Sequence, residues 1–475
     1  MKNKPKEPPQ IAVKFANMVF VLGILFCVLT AVYASHRIFN PLYVNYLGNK
    51  GIETFYIISV LCGGVFAALF GFGLKRLSNN LKVNLSVLFF TIGIAVYGFE
   101  TYLDFFEKTP QKREIIAKQL GVSYDTRTAM EVLDDLRDSG VDAYPNTSPY
   151  LFLESNGLTS NKGRIYPFGG ISNSTTLLNN EAGYYPIIET DEHGFNNPKG
   201  LYNKNKVDII LTGDSFTEGY SVHSNESISA VLRQLDFNAI SIGKRNNGPL
   251  IELAALKEYA EPLKPKIVLW LYFMNDLSDL FQEMKSPILR EYLNKENYSQ
   301  NIISRQEEID GVLTNYVQVE WEKEIKRKRV ANNPVIRISK LYNLRKRINL
   351  IPTPTPTLTL TLIFRDILQQ SKQMVSEWGG KMYFVYLPFF ERYSTGNEHK
   401  NRDFVMQTVT ELDIPIIDIH SKVFDPHPDP LSLFPTRMEN HYNAEGYRLV
   451  AEAIGKRLEA DGYVPIKSKK YFIYP

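Results

Sequence analysis

Three short stretches, far apart in the chain, carry side chains that could act together on an ester. GDSFTEG places Ser215 directly after Gly213 and Asp214, FMND carries Asn275, and ENHYNAEG carries His441. A serine hydroxyl is a poor nucleophile until a base takes its proton, and imidazole is the side chain best suited to that at neutral pH. An amide side chain, or a backbone N–H at a helix start, can hold the negative oxygen that forms when a carbonyl is attacked. Each residue also has an ordinary reading: Ser215 as a turn residue or N-cap, Asn275 as a turn residue, His441 as a capping or surface residue. The histidines at positions 36, 193, 223, 399, 420 and 427 have no comparable setting.

The elements around these residues would bring them together. VDIILTG, NAISIG, KIVLWLYF, KMYFVYLP and IPIIDI are short continuous apolar runs, as buried parallel strands are. Between them lie SISAVLRQL, IELAALKEYAEPL and RDILQQSKQMVSEWG with helical periodicity, and AEGYRLVAEAIGKRLEADG closes the series. Alternating strand and helix predicts an α/β fold with a doubly wound parallel sheet and active groups at the strand carboxyl ends. Ser215 follows the first strand, Asn275 the third, and His441 precedes the last helix.

This order of motifs resembles the SGNH/GDSL hydrolase family over about Asp208 to Gly462, with one large insertion at about 286–360. The resemblance implies an SGNH-type three-layer, flavodoxin-like sandwich. It also implies Ser215 as nucleophile, His441 as base, and the Ser215 N–H with the Asn275 amide as oxyanion donors. Family members usually carry Asp three residues before the histidine, where this chain has Met438. Glu439 stands two before it, a spacing similar to the Asp-x-His of a membrane-associated branch that acetylates exported polysaccharides. Glu439 is therefore the expected orienting acid. Aligning SIGKRNNGPL on its Asn-Gly-Pro end places Asn246 at the usual oxyanion glycine, with Gly248 beside it as a further donor, and Phe273 replaces another family glycine. The Gly- and Asn-rich stretch from Tyr166 to Pro198 resembles the segment before the catalytic domain in membrane-anchored members, and reads here as a structural loop.

The amino-terminal part has a different character. Uncharged runs lie between Lys14 and His36, Glu53 and Lys75, and Lys82 and Glu100. About 20 helical residues cross a ~30 Å hydrocarbon layer, which predicts transmembrane helices at about 15–35, 54–74 and 83–103, with Glu100 at headgroup level. A Val-x-Ala site at Val32–Ala34 leaves a cleaved signal peptide as the alternative for the first run. Gly63, Ala67 and Gly71 have a spacing that lets helices approach closely in lipid. Bases cluster at the amino terminus and at Lys75, Arg76 and Lys82, so the positive-inside rule puts both in the cytoplasm and everything after Leu103 outside. Residues 1–103 then form a membrane anchor, 104–205 a connector with helical REIIAKQLGV and TAMEVLDDLRDSG, and 206–475 the hydrolase-like domain. The basic run Lys326–Arg329 reads as a solvated helical face, or as a contact for anionic glycan or lipid headgroups, and the following PTPTPT as extended chain. DPHPDP, with Asp425, His427 and Asp429, reads as a Pro-rich loop rather than a metal site.

Composition narrows the classes. A net charge of +3 in 475 residues is too weak to suggest a nucleic-acid partner. Cys27 and Cys62 both lie in apolar runs, which argues against a disulfide framework or a cysteine zinc site. The reading is a multi-pass membrane protein with an extracytoplasmic serine esterase or O-acyltransferase domain, needing no metal or organic cofactor. Its expected partners are membrane lipid, an acylated carbohydrate or other ester, and, for a transferase, a membrane protein that delivers the acyl group. The rival is a catalytically silent SGNH-like glycan-binding protein, supported by the departures at Met438, Asn246 and Phe273.

Overall fold

The five apolar runs become strands β1 (Ile209–Thr212), β2 (Ala239–Ser241), β3 (Ile267–Tyr272), β4 (Lys381–Tyr386) and β5 (Ile416–Asp418). All neighbours pair in parallel, in the order β5-β4-β3-β1-β2. That is a flavodoxin-like winding whose direction reverses between β1 and β3, and ligands bind at the carboxyl ends of such a switch point. The structure, a computed structural model, describes residues 7–39, 50–106, 109–203, 207–321, 323, 333–347 and 358–463.

The strands are apolar without alternation because both faces are covered. Ile209, Leu211, Leu269 and Val385 pack on one face with Ile228, Leu232, Val450 and Ile454, from helices Ile228–Gln234 and Ala444–Ala460. On the other face Tyr272 meets Phe364 of helix Leu358–Glu377, with ring centroids 5.8 Å apart. All six residues of β3 are buried. Removing one of its leucines to alanine should cost about 2–5 kcal/mol.

The described residues divide into two compact units. One comprises those within 1–111 and 325–357, the other those within 112–324 and 358–475. The expected insertion is thus split. Its first part stays with the sheet because buried Glu258, on the helical stretch after β2, holds it: Oε1 accepts from the Gln300 N–H at 2.5 Å and from the Tyr292 hydroxyl, and Oε2 accepts from Ser299 Oγ at 2.9 Å and the Ile302 N–H at 3.1 Å. Its later part, short helices Pro334–Ser339 and Tyr342–Arg347, belongs to the other unit. Lys326–Arg329 and the Pro-Thr run lie outside the described residues, and a helix begins directly after that run at Leu358.

The stretch read as a structural loop carries more structure than its turn-rich composition suggests. Ala143–Pro145 pairs in parallel with Thr175–Leu177, which pairs antiparallel with Ile187–Glu189. Buried Asp191 accepts from the His193 and Phe195 N–H groups at 2.8 and 2.9 Å and from Asn197 Nδ2 at 2.8 Å. Asn197 in turn exchanges two 2.8 Å bonds with the backbone of Ser241, at the end of β2. This polar chain fixes the segment to the sheet's carboxyl edge.

In the other unit three helices, α1 (Gln10–Phe39), α2 (Lys50–Arg76) and α3 (Asn79–Phe106), are each long and apolar enough to cross a membrane. They enclose the three expected spans. Gly63 allows the close approach its spacing suggests: a Cβ there would meet Cys27 O at 3.0 Å and Ala31 Cβ at 3.1 Å. Gly71 does not, since its Cβ would meet nothing within 4 Å. Gly23 takes part instead: a Cβ there would meet the Phe70 ring at 2.8 Å.

One buried group stands out in the unit that holds the five-stranded sheet. Glu252 is 0% exposed and, among the described residues, neither carboxylate oxygen has a hydrogen-bond partner. Burial, then the charges of Glu283, Asp214 and Asp279, raise its pKa well above the usual range. A raised pKa means stability is full below the unfolded value and is lost as pH rises. Glu252→Leu should therefore stabilise the protein by about 1–3 kcal/mol at neutral pH. Its advantage in thermal melts should widen as pH rises above about 4.5; a pH-independent advantage would show that Glu252 does not titrate as argued.

Candidate active site

Ser215 opens the four-residue helix that follows β1. Gly213, at φ 154°, has no room for a side chain: a Cβ would collide with Thr217 Oγ1 and lie 2.8 Å from Leu271 O. The sharp turn this permits lets Asp214 cap the helix, its Oδ1 accepting from the Phe216 N–H at 2.9 Å. Ser215 is thereby held at the strand's carboxyl end, beside the turn that precedes the last helix.

Ser215 Oγ lies 2.7 Å from His441 Nε2, a contact between residues 226 apart in sequence. His441 Nδ1 lies 2.6 Å from a Glu181 carboxylate oxygen, Oε2. The same oxygen accepts from Ser221 Oγ at 2.6 Å. Asn440 Nδ2 donates to the Glu181 carbonyl at 3.2 Å, so the turn carrying His441 is pinned to the Glu181 stretch at several points.

The carboxylate at His441 Nδ1 is therefore that of Glu181, and the expectation that Glu439 would stand there is corrected. Glu439 belongs to the turn before His441, but its carboxylate faces Glu391 across the cleft, not the imidazole. Its backbone carbonyl accepts from Arg113 Nη2 at 3.3 Å. Nearness in sequence misled because the Nδ1 edge faces a segment 260 residues upstream. Glu181 lies in NNEAGYYP, and the only signal was a carboxylate in an Asn- and Gly-rich stretch.

Electrostatics reinforce the pairing. Burial would raise Glu181, but the charge of His441, hydrogen bonds from His441 and Ser221, and the Arg113 charge hold it down at about 2. Burial likewise would lower His441, yet Glu181 outweighs it by charge and hydrogen bond, so the imidazole pKa is raised above its ordinary value. Asp214, behind the serine, is pushed up to about 6 by burial, with His441 opposing.

The expected oxyanion donors are less simply arranged. Asn275 Nδ2 donates to Asp279 Oδ2 at 2.5 Å, which leaves one amide hydrogen. Gly248 is already engaged: its single N–H donates to Glu283 Oε1 at 2.6 Å, so it faces an oxyanion only if that bond breaks. Asn246 has φ 59°, the left-handed geometry anticipated there, and is half-buried. Beside the imidazole a cleft of about 230 Å³ is lined by Phe216, Phe273, Phe389 and Phe390, with Arg113 and Glu391 at polar positions. Phe273, a glycine in the resembling family, thus contributes an apolar wall.

A parallel α/β domain that sets a serine on a histidine–glutamate pair has the geometry for acyl transfer: a hydroxyl, a base to take its proton, and an acid to steady the imidazolium. No family model and no curated protein matches the chain. Among solved structures the chain is similar to one described as a lipolytic protein of G-D-S-L family from Desulfitobacterium hafniense DCB-2 (14% identity, 52% of this chain and 98% of that one, TM-score 0.30). It is similar to an alpha/beta hydrolase enzyme from the metagenome of Lake Arreo, Spain (14% identity, 55% and 98%, TM-score 0.31). It is also similar to one described as an acylhydrolase from Bacteroides fragilis NCTC 9343 (14% identity, 55% and 89%, TM-score 0.27). At such values the reading of the site rests on its own geometry.

Glu181 should matter through His441. Glu181→Gln removes the charge that raises the imidazole pKa, so the acidic limb of the kcat/KM profile for an ester should move to lower pH. Turnover should fall by about 10⁴-fold, as when a triad carboxylate is made neutral. Glu439→Gln should produce no such shift, and a shift there with none at Glu181 would reverse the assignment.

Proposed function

We propose that the catalytic unit is a serine-dependent esterase or O-acyltransferase of SGNH/GDSL type. The observation that carries this reading is the continuous hydrogen-bonded chain Ser215–His441–Glu181. His441 Nε2 takes the Ser215 proton as Oγ attacks the ester carbonyl. His441 then returns that proton to the departing alcohol, leaving the acyl group on Ser215. Water, or a sugar hydroxyl activated by the same imidazole, completes the cycle. Glu181 holds the tautomer with hydrogen on Nδ1 and steadies the positive charge. The Ser215 N–H, the remaining Asn275 amide hydrogen and the Asn246 N–H are the donors proposed for the oxyanion. The aromatic cleft suits a short acyl group better than a long chain, because of its small volume.

The site is proposed to work outside the cytoplasm, with α1–α3 all crossing the membrane and the amino terminus inside. The base asymmetry around Lys75, Arg76 and Lys82 supports that orientation. The proposed substrate is an acylated envelope or exported glycan, and a transferase would take its acyl group from a membrane partner.

One observation favours the silent glycan-binding alternative: Glu283 occupies the Gly248 N–H and Asp279 engages Asn275, which reduces the donors free for an oxyanion. A fluorophosphonate probe separates the two. Labelling of the wild type, lost in Ser215→Ala, is expected. Asn275→Ala should lower ester turnover by about 10²–10³-fold while labelling persists. A wild type that is folded yet neither labels nor cleaves any simple ester would leave the binding-protein reading.

A further inference from the structure

The outer part of α3 carries two carboxylates that a lipid-facing helix could not leave bare. Glu100 and Asp104 are both 0% exposed. Their partners come from more than 230 residues later. Glu100 Oε1 accepts from the Asn343 N–H at 2.8 Å and from Asn343 Nδ2 at 3.0 Å, and Oε2 accepts from the Leu344 N–H at 2.7 Å. Asp104 Oδ1 lies 3.0 Å from Arg337 Nε and accepts from Asn343 Nδ2 at 3.2 Å. Arg337 Nη2 donates to Asn343 Oδ1 at 2.9 Å, and its guanidinium lies over the Tyr342 ring, 5.0 Å from the centroid. The Tyr97 hydroxyl adds a contact to Ser339 O at 3.4 Å. Helices Pro334–Ser339 and Tyr342–Arg347 are thus clamped to one stretch of α3, residues 97–104.

That stretch has a definite depth if α3 crosses a bilayer. A helix rises about 1.5 Å per residue, so from Lys82 the core's far boundary, ~30 Å on, falls near Tyr102, within that stretch. The clamped hairpin is then at headgroup level. Its exposed side chains suit that layer. Val335 is 74% exposed and Tyr342 41%, while Lys340 and Arg345 are exposed and, among the described residues, meet no carboxylate. Apolar and aromatic groups beside free cations are what a surface needs to rest among lipid phosphates.

We propose that residues 334–347 form a membrane-surface hairpin, anchored on Glu100 and Asp104, that lies in the lipid headgroup layer and contacts lipid phosphates through Lys340 and Arg345. The proposal rests on α3 crossing the membrane and is independent of the chemistry at Ser215.

The test uses the full chain in lipid nanodiscs, with Cys27 and Cys62 replaced by alanine and an environment-sensitive fluorophore on Val335→Cys. Quenching by a nitroxide on the lipid headgroup should exceed quenching by a nitroxide deep in the acyl chain. The same fluorophore on Val87→Cys, a lipid-facing position of α3, should show the opposite order. Raising the fraction of anionic phospholipid should increase headgroup quenching at position 335, and a Lys340→Glu, Arg345→Glu double variant should lose that increase. A position-335 label quenched only by aqueous iodide, with Val87 still deep, would overturn the hairpin and leave the membrane span standing. Both labels in water would overturn the two together. An increase with anionic lipid that survives the double variant would remove Lys340 and Arg345 from the contact.

Discussion

The hydrogen bond between His441 and Glu181 governs how the rest of the sheet-bearing unit must be built. Burial alone would keep the glutamate protonated and the imidazole neutral and unoriented. Each takes its useful state because the other is within 2.6 Å, with Ser221 supplying a second donor. A buried pair of this kind is favourable only when both partners are fixed and their other lone pairs and protons are satisfied. The segment carrying Glu181 must therefore be as rigid as the sheet. Asp191, Asn197 and Ser241 provide part of that rigidity. Glu218, one helical turn after Ser215, provides more: it pairs with Lys244 at 2.6 Å, with almost no exposure of either side chain, and accepts from Asn146 at 3.0 Å. A stretch with the composition of a loop is in fact tied to the turn that carries Ser215.

The same crowding of buried polar groups limits the site. Burial pushes Glu283 up to about 8, although it accepts from the Leu250 and Gly248 N–H groups. Asp279 is pushed up to about 7 against the hydrogen bond from Asn275. These acids take up the Gly248 and Leu250 N–H groups and an Asn275 amide hydrogen. They stiffen the turns after β2 and β3, and they leave fewer hydrogens for an oxyanion. Ser215 and His441 are thus better provided for with partners than the Asn275 and Gly248 donors are.

The other unit solves a different problem. Its three apolar helices need little besides close packing, which Gly23 and Gly63 allow. The acids at the end of α3 would be costly in that setting without partners. Partners arrive from a chain excursion that leaves the sheet-bearing unit and returns to it at Leu358. The insertion is therefore two things: a set of helices locked to the sheet by Glu258, and a short basic hairpin locked to Glu100 and Asp104.

Much was legible in the linear sequence because its signals are local. The length of the uncharged runs marks helices able to cross a membrane. Continuous apolar strands such as IVLWLY declare a sheet covered on both faces, and alternation with helices makes it parallel. GDS after the first strand and a histidine before the last helix fall at its carboxyl edge for the same reason. Spacing alone failed wherever a partner was chosen in three dimensions. Glu439 is two residues from His441 and faces elsewhere, whereas Glu181 is 260 residues away and meets Nδ1. Gly248 fits the oxyanion motif, but Glu283 takes its N–H. Gly71 has the right spacing for helix packing, yet it faces open space. A side chain's type and its element follow from neighbours along the chain, through propensity, periodicity and turn chemistry. Which hydrogen bond it makes follows from chain crossings that bring distant segments together, and only the tertiary structure contains those.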